Sequence, residues 1–487
     1  MHLHSTQEIK ELYNRLHQLT AEPVRRIRRD AMEQYLQHFE NKCSASKSLI
    51  AEAREAIPGG VQHNLAFNHP FPLVFTRAEG AWLEDLDGNR YIDFLQAGGP
   101  TVLGSNHPAV REKIIELLNT CGPSTGLFHE YEFKLASLVK RLIPSVEMFR
   151  MLGSGTEAVM AAVRLARLAT GKKKIIKCGG AYHGWSDQMV YGMRIPGTGR
   201  FDAHGIPRPL TRYTQEVFPN DLHALERQLR LNRIRGGTAA VILEPAGTES
   251  GTRPVDPEYN KGVRSLCDRY GTLLIFDEVV TAFRLSMHGA QHIYGVKPDI
   301  TVFGKVIAGG YPGAGGVGGR RELMQLMTAG VQSGNKKIMV GGTMAANPLS
   351  SAAGYYTLLE MEKQQACEKA SNAGDQLTAG LLDLIGKYKL PFVAYNQGSI
   401  CHLETTGTMF IPLNYFRIFK VLEEIKKRKH VMEEMGAAYM AEGIVTLAGS
   451  RMYTSMADTP EVISLALERF EKVFQKISQG EEIGTGS

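Results

Sequence analysis

Between residues 120 and 345 the chain alternates short, unbroken apolar runs with amphipathic stretches of helix length. The runs lie at 175–176, 239–243, 272–276 and 300–303, and the helical patterns at 221–234, 258–270 and 286–295. Runs without period-two alternation suit strands buried on both faces, as in a parallel sheet. Helices between such strands imply right-handed crossovers. The expected fold class is α/β: a large domain, 120–345, on a mostly parallel sheet, followed by a smaller α+β domain, 346–487. In the latter, 349–369 predicts a long helix, 391–405 and 443–456 predict strands, and 414–441 and 459–478 predict helices. Ahead of the sheet, residues 1–55 read as a helical appendage. Ile9, Leu12, Leu16 and Leu19 follow helical spacing until Pro23, and packing across a partner subunit is expected for this segment. Residues 56–119 then contribute to the small domain and the active-site entrance. They open on the turn Ile57-Pro58-Gly59-Gly60 and continue into a hairpin turning at Asp87-Gly88.

Length and composition add bounds. At 487 residues the chain exceeds one compact core, and 43% hydrophobic with 22% charged residues excludes disordered and fibrous classes. A net charge of +6 is mild, and Arg25, Arg26, Arg28 and Arg29 are followed by Asp30 and Glu33, which suits a solvated helix face better than a nucleic-acid patch. Six scattered cysteines without a C-x-x-C pair read as reduced thiols, hence a cytoplasmic expectation. No apolar run approaches a membrane span, and acidic Glu8 and Glu11 argue against a secretion signal.

In an open α/β sheet, ligands bind at the carboxyl ends of the strands. Asp277 ends one apolar run, and Lys305 stands just past another. Gly153-Ser154-Gly155-Thr156 opens a helix on the same rim, where free amides and the helix dipole favour a phosphate. Taken singly, these are a cap, a surface lysine and an N-cap. Together they describe one ligand with a phosphate, a basic ring nitrogen and an aldehyde: pyridoxal 5'-phosphate. Lys305 would form the Schiff base and later act as general base, while Asp277 would keep the ring nitrogen protonated. Two decoys fall away. Gly313–Gly318 fits G-x-G-x-x-G but lacks the acidic residue expected about 20 positions on, and reads as a close-packed loop. His183 has no second His or Cys at ligand spacing, so no metal is expected.

The ordered set Ile57-Pro-Gly-Gly-Val61, Ser154-Gly-Thr-Glu-Ala158, Tyr182-His183-Gly184, Glu244-Pro245, Phe276–Val279, Thr281–Arg284, Gly304-Lys305, Gly342-Thr343 and Asn347-Pro348 resembles the class III, fold type I aminotransferases. It is most similar to the branch that includes glutamate-1-semialdehyde 2,1-aminomutase. The resemblance implies phosphate binding by Ser154, Gly155 and Thr156, and a ring stacked between Tyr182 and Val279. It also implies Glu244 and His183 in the network around Asp277, and Thr343 reaching the phosphate of a neighbouring subunit in a homodimer with shared sites.

Substrate positions depart from that branch. Where the aminomutase has a serine and an arginine, His63 and Ala66 stand, and Tyr453 stands in place of its glutamate. An arginine that related β-amino-acid aminotransferases use at position 63 is also missing. A carboxylate grip would then fall to Arg284 or Arg451, unless these form structural salt bridges. His63 and Tyr453 would line a more neutral pocket, suited to an amine, an amino-ketone or a bulky amino acid. The reading is an aminotransferase passing an amino group from a small-molecule donor to a 2-oxo acid or other carbonyl acceptor, with no nucleic-acid or membrane partner. An aminomutase or racemase on the same cofactor is the alternative, and a cofactor-free scaffold is the third reading.

Overall fold

The structure, a computed structural model, describes residues 4–66, 68–121, 127–330, 336–413 and 418–478. Its centre is a seven-stranded sheet: β1 (Met148–Leu152), β2 (Lys174–Cys178), β3 (Thr214–Val217), β4 (Thr238–Leu243), β5 (Leu273–Asp277), β6 (Ile300–Gly304) and β7 (Gly315–Gly319), in the order β1-β7-β6-β5-β4-β2-β3. All run parallel except β7, which is antiparallel to both β6 and β1. The mostly parallel α/β expectation is met. Every residue of β4 is buried, which is why its sequence is apolar without alternation.

Three strands escaped the apolar reading. β3 and β1 are only partly buried and carry polar residues. β7 is the glycine run taken above for a close-packed loop. It is a strand, and four of its five residues are glycine because a Cβ would collide on either side: Gly316 with Phe149 at 2.5 Å, Gly318 with Val146 at 2.6 Å. Its close packing is real, but glycine gives no hydrophobic signal.

The C-terminal region holds the hairpin Val393–Gln397 and Ile400–Glu404, with Arg451–Tyr453 added beside it. A second small sheet joins Phe75–Glu79, Trp82–Asp85 and Arg90–Asp93 to Ile444–Val445. The long helix expected at 349–369 breaks at Gln365, whose φ is 53°, giving Pro348–Gln364 and Ala366–Lys387. The pattern at 414–441 becomes Ile418–Ala441, with 414–417 outside the described residues.

The N-terminal appendage packs on the C-terminal region of its own chain. Helix Thr6–Ala21 buries Leu12, Leu16 and Leu19 against Val393, Tyr395 and Phe410, and helix Arg29–Lys42 sends Tyr35 and Phe39 into the core of the C-terminal region. The apolar stripe of each of these helices is thus covered within its own chain. Among the described residues, no helix is long and apolar enough to cross a membrane, and no cluster of His, Cys, Asp and Glu could hold a metal. All six cysteines are free, five of them buried.

Candidate active site

Strand ends build the site. β5 delivers Asp277, β6 delivers Lys305, and β1 leads into Ser154 and helix Gly155–Thr170. All line one cavity of about 1820 Å³, together with Gly155, Thr156, Tyr182, His183, Glu244, Val279, Arg451 and Tyr453. Ser154 Oγ accepts from the Glu157 amide at 3.2 Å, so Ser154 does cap this helix. The first intrahelical bond is Ala158 N to Ser154 O, which leaves the earlier amides of Gly155 and Thr156 at the positive end of the dipole. Val279 is wedged between two glycines: a Cβ on Gly155 would stand 3.0 Å from it, and one on Gly304 2.7 Å. The Tyr182-His183 loop approaches the helix start closely enough that a Cβ on Gly184 would meet Thr156 at 2.5 Å.

Asp277 is held at both oxygens. Oδ1 accepts from the Val279 amide at 3.1 Å, and Oδ2 pairs with His183 Nδ1 at 2.7 Å, both side chains being buried. Burial holds the His183 pKa below its ordinary value despite Asp277. The ring is therefore neutral near pH 7, with its proton assigned to Nδ1 by the carboxylate, and Nε2 is buried without a hydrogen-bond partner among the described residues.

Lys305 has φ 49°, a left-handed conformation that a non-glycine residue keeps only where its surroundings impose it. Its Nζ donates to the Gly98 carbonyl at 2.7 Å, and burial, reinforced by Arg451 and Arg284, lowers its pKa against the opposing pull of Tyr453 and Asp277. A lysine with a lowered pKa is the form that can act as nucleophile and base.

Glu244 supports the rim from behind. It accepts from the amides of Tyr182 (3.1 Å), Glu249 (3.0 Å) and Ser250 (2.7 Å), while burial, then the charge of Asp277, pushes its pKa up to about 8. It thereby ties Tyr182 to a strained turn in which Glu249 (φ 54°) and Ser250 (φ 58°) are both left-handed. Glu249 pairs with Arg451 Nη2 at 2.9 Å.

The other candidates divide. Tyr453 is buried on the lining with Arg284 stacked 5.0 Å over its ring, and the charges of Arg451 and Lys305 draw its pKa down against its burial. Arg284 is fully buried behind that ring, outside the lining, and forms no salt bridge among the described residues. It donates to the carbonyls of Gly99 (2.8 Å) and Thr454 (2.9 Å) and to Ser399 Oγ (3.2 Å). Its lowered pKa, about 10, reflects that burial. His63 lines the cavity and is exposed, with Nδ1 accepting from the Leu65 amide at 3.1 Å. Ala66 is exposed and off the lining, as is Thr343.

Sequence reasoning missed several supporting residues. Gly98 and Gly99, at φ 83° and 115°, take left-handed backbone that favours glycine and bring it against Lys305, a Cβ at Gly98 standing 3.6 Å from Nζ. Lys177 is wholly buried, its pKa lowered to about 8 by that burial, and donates to the carbonyls of Ala181 (2.7 Å) and Tyr191 (2.9 Å), holding the Tyr182 loop. A lysine directly after the apolar pair Ile175-Ile176 was the available signal for Lys177.

These groups fit pyridoxal 5'-phosphate: an amine of lowered pKa, a carboxylate fixed by a buried neutral histidine, and a helix start bordered by glycines that a Cβ would close. A site of this kind, on a sheet of this order, defines an enzyme built around that coenzyme. The class III aminotransferase family model matches residues 65–420, and the chain belongs to that family. It is a pyridoxal-phosphate-dependent transaminase. Among solved structures it is similar to an omega-transaminase from Sphaerobacter thermophilus, at 27% identity and TM-score 0.79, covering 90% of this chain and 99% of that one. A β-phenylalanine aminotransferase from Variovorax paradoxus matches at 26% identity and TM-score 0.76, covering 92% and 97%. A glutamate-1-semialdehyde aminomutase from Pseudomonas aeruginosa shares the fold at 23% identity and TM-score 0.78, covering 95% and 98%.

Proposed function

We propose that the enzyme moves an amino group from an amine or amino-acid donor to a 2-oxo acid or other carbonyl acceptor, with Lys305 as the amine that binds the coenzyme and carries the proton. The observation that carries this reading is Lys305 on the rim beside Asp277, with its pKa lowered by burial. When bound, the coenzyme supplies an aldehyde and a conjugated ring that accepts an electron pair. Asp277 holds a proton on the ring nitrogen, and His183 keeps that carboxylate in place. Gly155 and Thr156 take the phosphate, with Ser154 fixing their helix. Tyr182 and Val279 flank the ring. Lys305 Nζ would take the proton from the donor carbon and deliver it to the coenzyme's former aldehyde carbon.

Arg451, like Arg194 and Lys429, is a cation on the lining, and a substrate carboxylate reaching it must compete with Glu249. An acceptor acid fits this arrangement, while a donor without a carboxylate leaves the pair closed. Thr343 serves the neighbouring site of a homodimer. Support for that assembly comes from apolar side chains exposed on two helices that both pack on Pro348–Gln364: Ile115 and Leu118 on Pro108–Thr120, and Phe133 on Glu130–Leu142.

Absorbance of purified protein with added coenzyme tests the reading. Donor alone should bleach the Schiff-base band, a 2-oxo acid should restore it, and Lys305→Ala should never form it. A band that forms while product appears without any acceptor would replace transamination by an intramolecular aminomutase or racemase. Protein that stays colourless would overturn both.

A further inference from the structure

Helix Thr6–Ala21 touches three segments that each feed the substrate side of the cavity. The first follows the Glu249 turn: Tyr13 donates its hydroxyl to the Pro254 carbonyl at 3.1 Å, and Thr6 donates to Asp256 at 2.9 Å. The second is the loop at Thr408 and Met409, both on the lining. Phe410 packs edge-on against Tyr13 with ring centres 6.2 Å apart, and Arg253 lies 4.8 Å over the same Phe410 ring while donating to the Met409 carbonyl. The third is helix Ile418–Ala441, which presents Leu422, Ile425, Lys429 and Met432 to the cavity.

One residue joins the third segment to the first helix. Arg428 is buried on Ile418–Ala441 and spends its guanidinium on the carbonyls that end helix Thr6–Ala21: Leu19 (3.3 Å), Thr20 (3.1 Å) and Glu22 (2.8 Å). The same group donates to the Thr406 carbonyl at 2.6 Å, and its Nε to Glu424 at 2.6 Å. A helix C-terminus carries partial negative charge and unpaired carbonyls, so a buried cation there is favoured, and the planar fork of arginine can reach several acceptors together. Lysine keeps the charge but not the fork.

We propose that helix Thr6–Ala21, locked by Arg428 and Tyr13, is a strut that sets the position of the substrate-side wall, so that both are positioning residues for substrate selection. The strut joins the Glu249 turn to helix Ile418–Ala441 and is anchored to the hairpin through His4 and the Asn396 carbonyl (2.8 Å). Lys305, Asp277 and the phosphate helix lie on other elements. A loosened strut should therefore misplace substrate and spare the coenzyme. The inference rests on the transaminase reading of this cavity.

The test measures KM and kcat for one small and one bulky amine donor in the full-length holoenzyme and in Arg428→Lys and Tyr13→Phe. Coenzyme absorbance and thermal midpoint are recorded alongside. Arg428→Lys should raise KM roughly three- to tenfold, hold kcat within about twofold, and narrow the preference between the two donors. The Schiff-base band should not change, and amide hydrogen exchange should quicken in 252–256 and 418–441. Tyr13→Phe removes one hydroxyl without disturbing packing. It should act in the same direction, more weakly, and decides the matter alone if Arg428→Lys does not fold. Unchanged KM and donor preference, whatever the thermal midpoint, would overturn the strut, as would a joint loss of kcat, KM and coenzyme binding. A parent enzyme inactive with every donor would overturn the transaminase reading and the strut with it, whereas an active parent with indifferent variants overturns the strut alone.

Discussion

Glu244 accepts three backbone amides, which favour its charged form, yet burial and the nearby Asp277 charge outweigh them and raise its pKa to about 8. A raised carboxyl pKa stabilises the fold below the ordinary glutamate value, about 4.3, and that contribution is lost as pH climbs to the folded pKa, because the unfolded chain releases its proton first. Thermal midpoints of the parent should therefore fall between about pH 5 and pH 8 more steeply than those of Glu244→Gln. Parallel curves would count against the assignment. Single residues were legible where chemistry ended a simple pattern, as Asp277 and Lys305 do. Gly98, Ser250 and Glu249 were not, because what matters in them is a left-handed backbone or a partner far along the chain, and neither has a local signature.

At the scale of elements, the turn Lys305–Ala308 is pressed onto helix Pro348–Gln364 where Gly354 meets the Ile307 carbonyl. A Cβ there has no space. Gly354→Ala should cost roughly 1–3 kcal/mol in denaturant unfolding and, by moving the lysine turn, shift the Schiff-base band. Loss of stability with an unmoved band would separate the helix from the position of Lys305. The strands found from sequence were those buried on both faces, since burial writes itself as an apolar run. β7 was invisible because its packing demands glycine. The helix break at Gln365 was missed because apolar residues continue across it: the following helix buries Ala366 and Cys367, which the same spacing had assigned to one long helix.

For the whole molecule, the expectation of shared sites makes a prediction about mixtures. Thr343→Arg would supply a sound Lys305 but no partner threonine, and Lys305→Ala the reverse. Refolded together they should recover roughly a quarter of parental activity or less per subunit, whereas each alone should be impaired, Lys305→Ala completely. A mixture no better than Thr343→Arg by itself would argue that the sites are independent. Nothing in a one-dimensional pattern could reveal that the N-terminal helices fold back on the C-terminal region, because an amphipathic stripe says how much must be covered and not by what.

β7 separates the strand that carries Lys305 from the strand that leads to Ser154, and it does so almost without side chains. A Cβ at Gly315 would strike the Ser154 carbonyl, and one at Gly319 would lie 2.6 Å from the Asp299 carbonyl. The gap between amine and phosphate helix is thus gauged by bare backbone, leaving little for mutation to adjust. The far wall, made of ordinary side chains on Ile418–Ala441, has no such constraint. A lineage descending from this protein can therefore drift to new substrates cheaply while its coenzyme chemistry stays frozen.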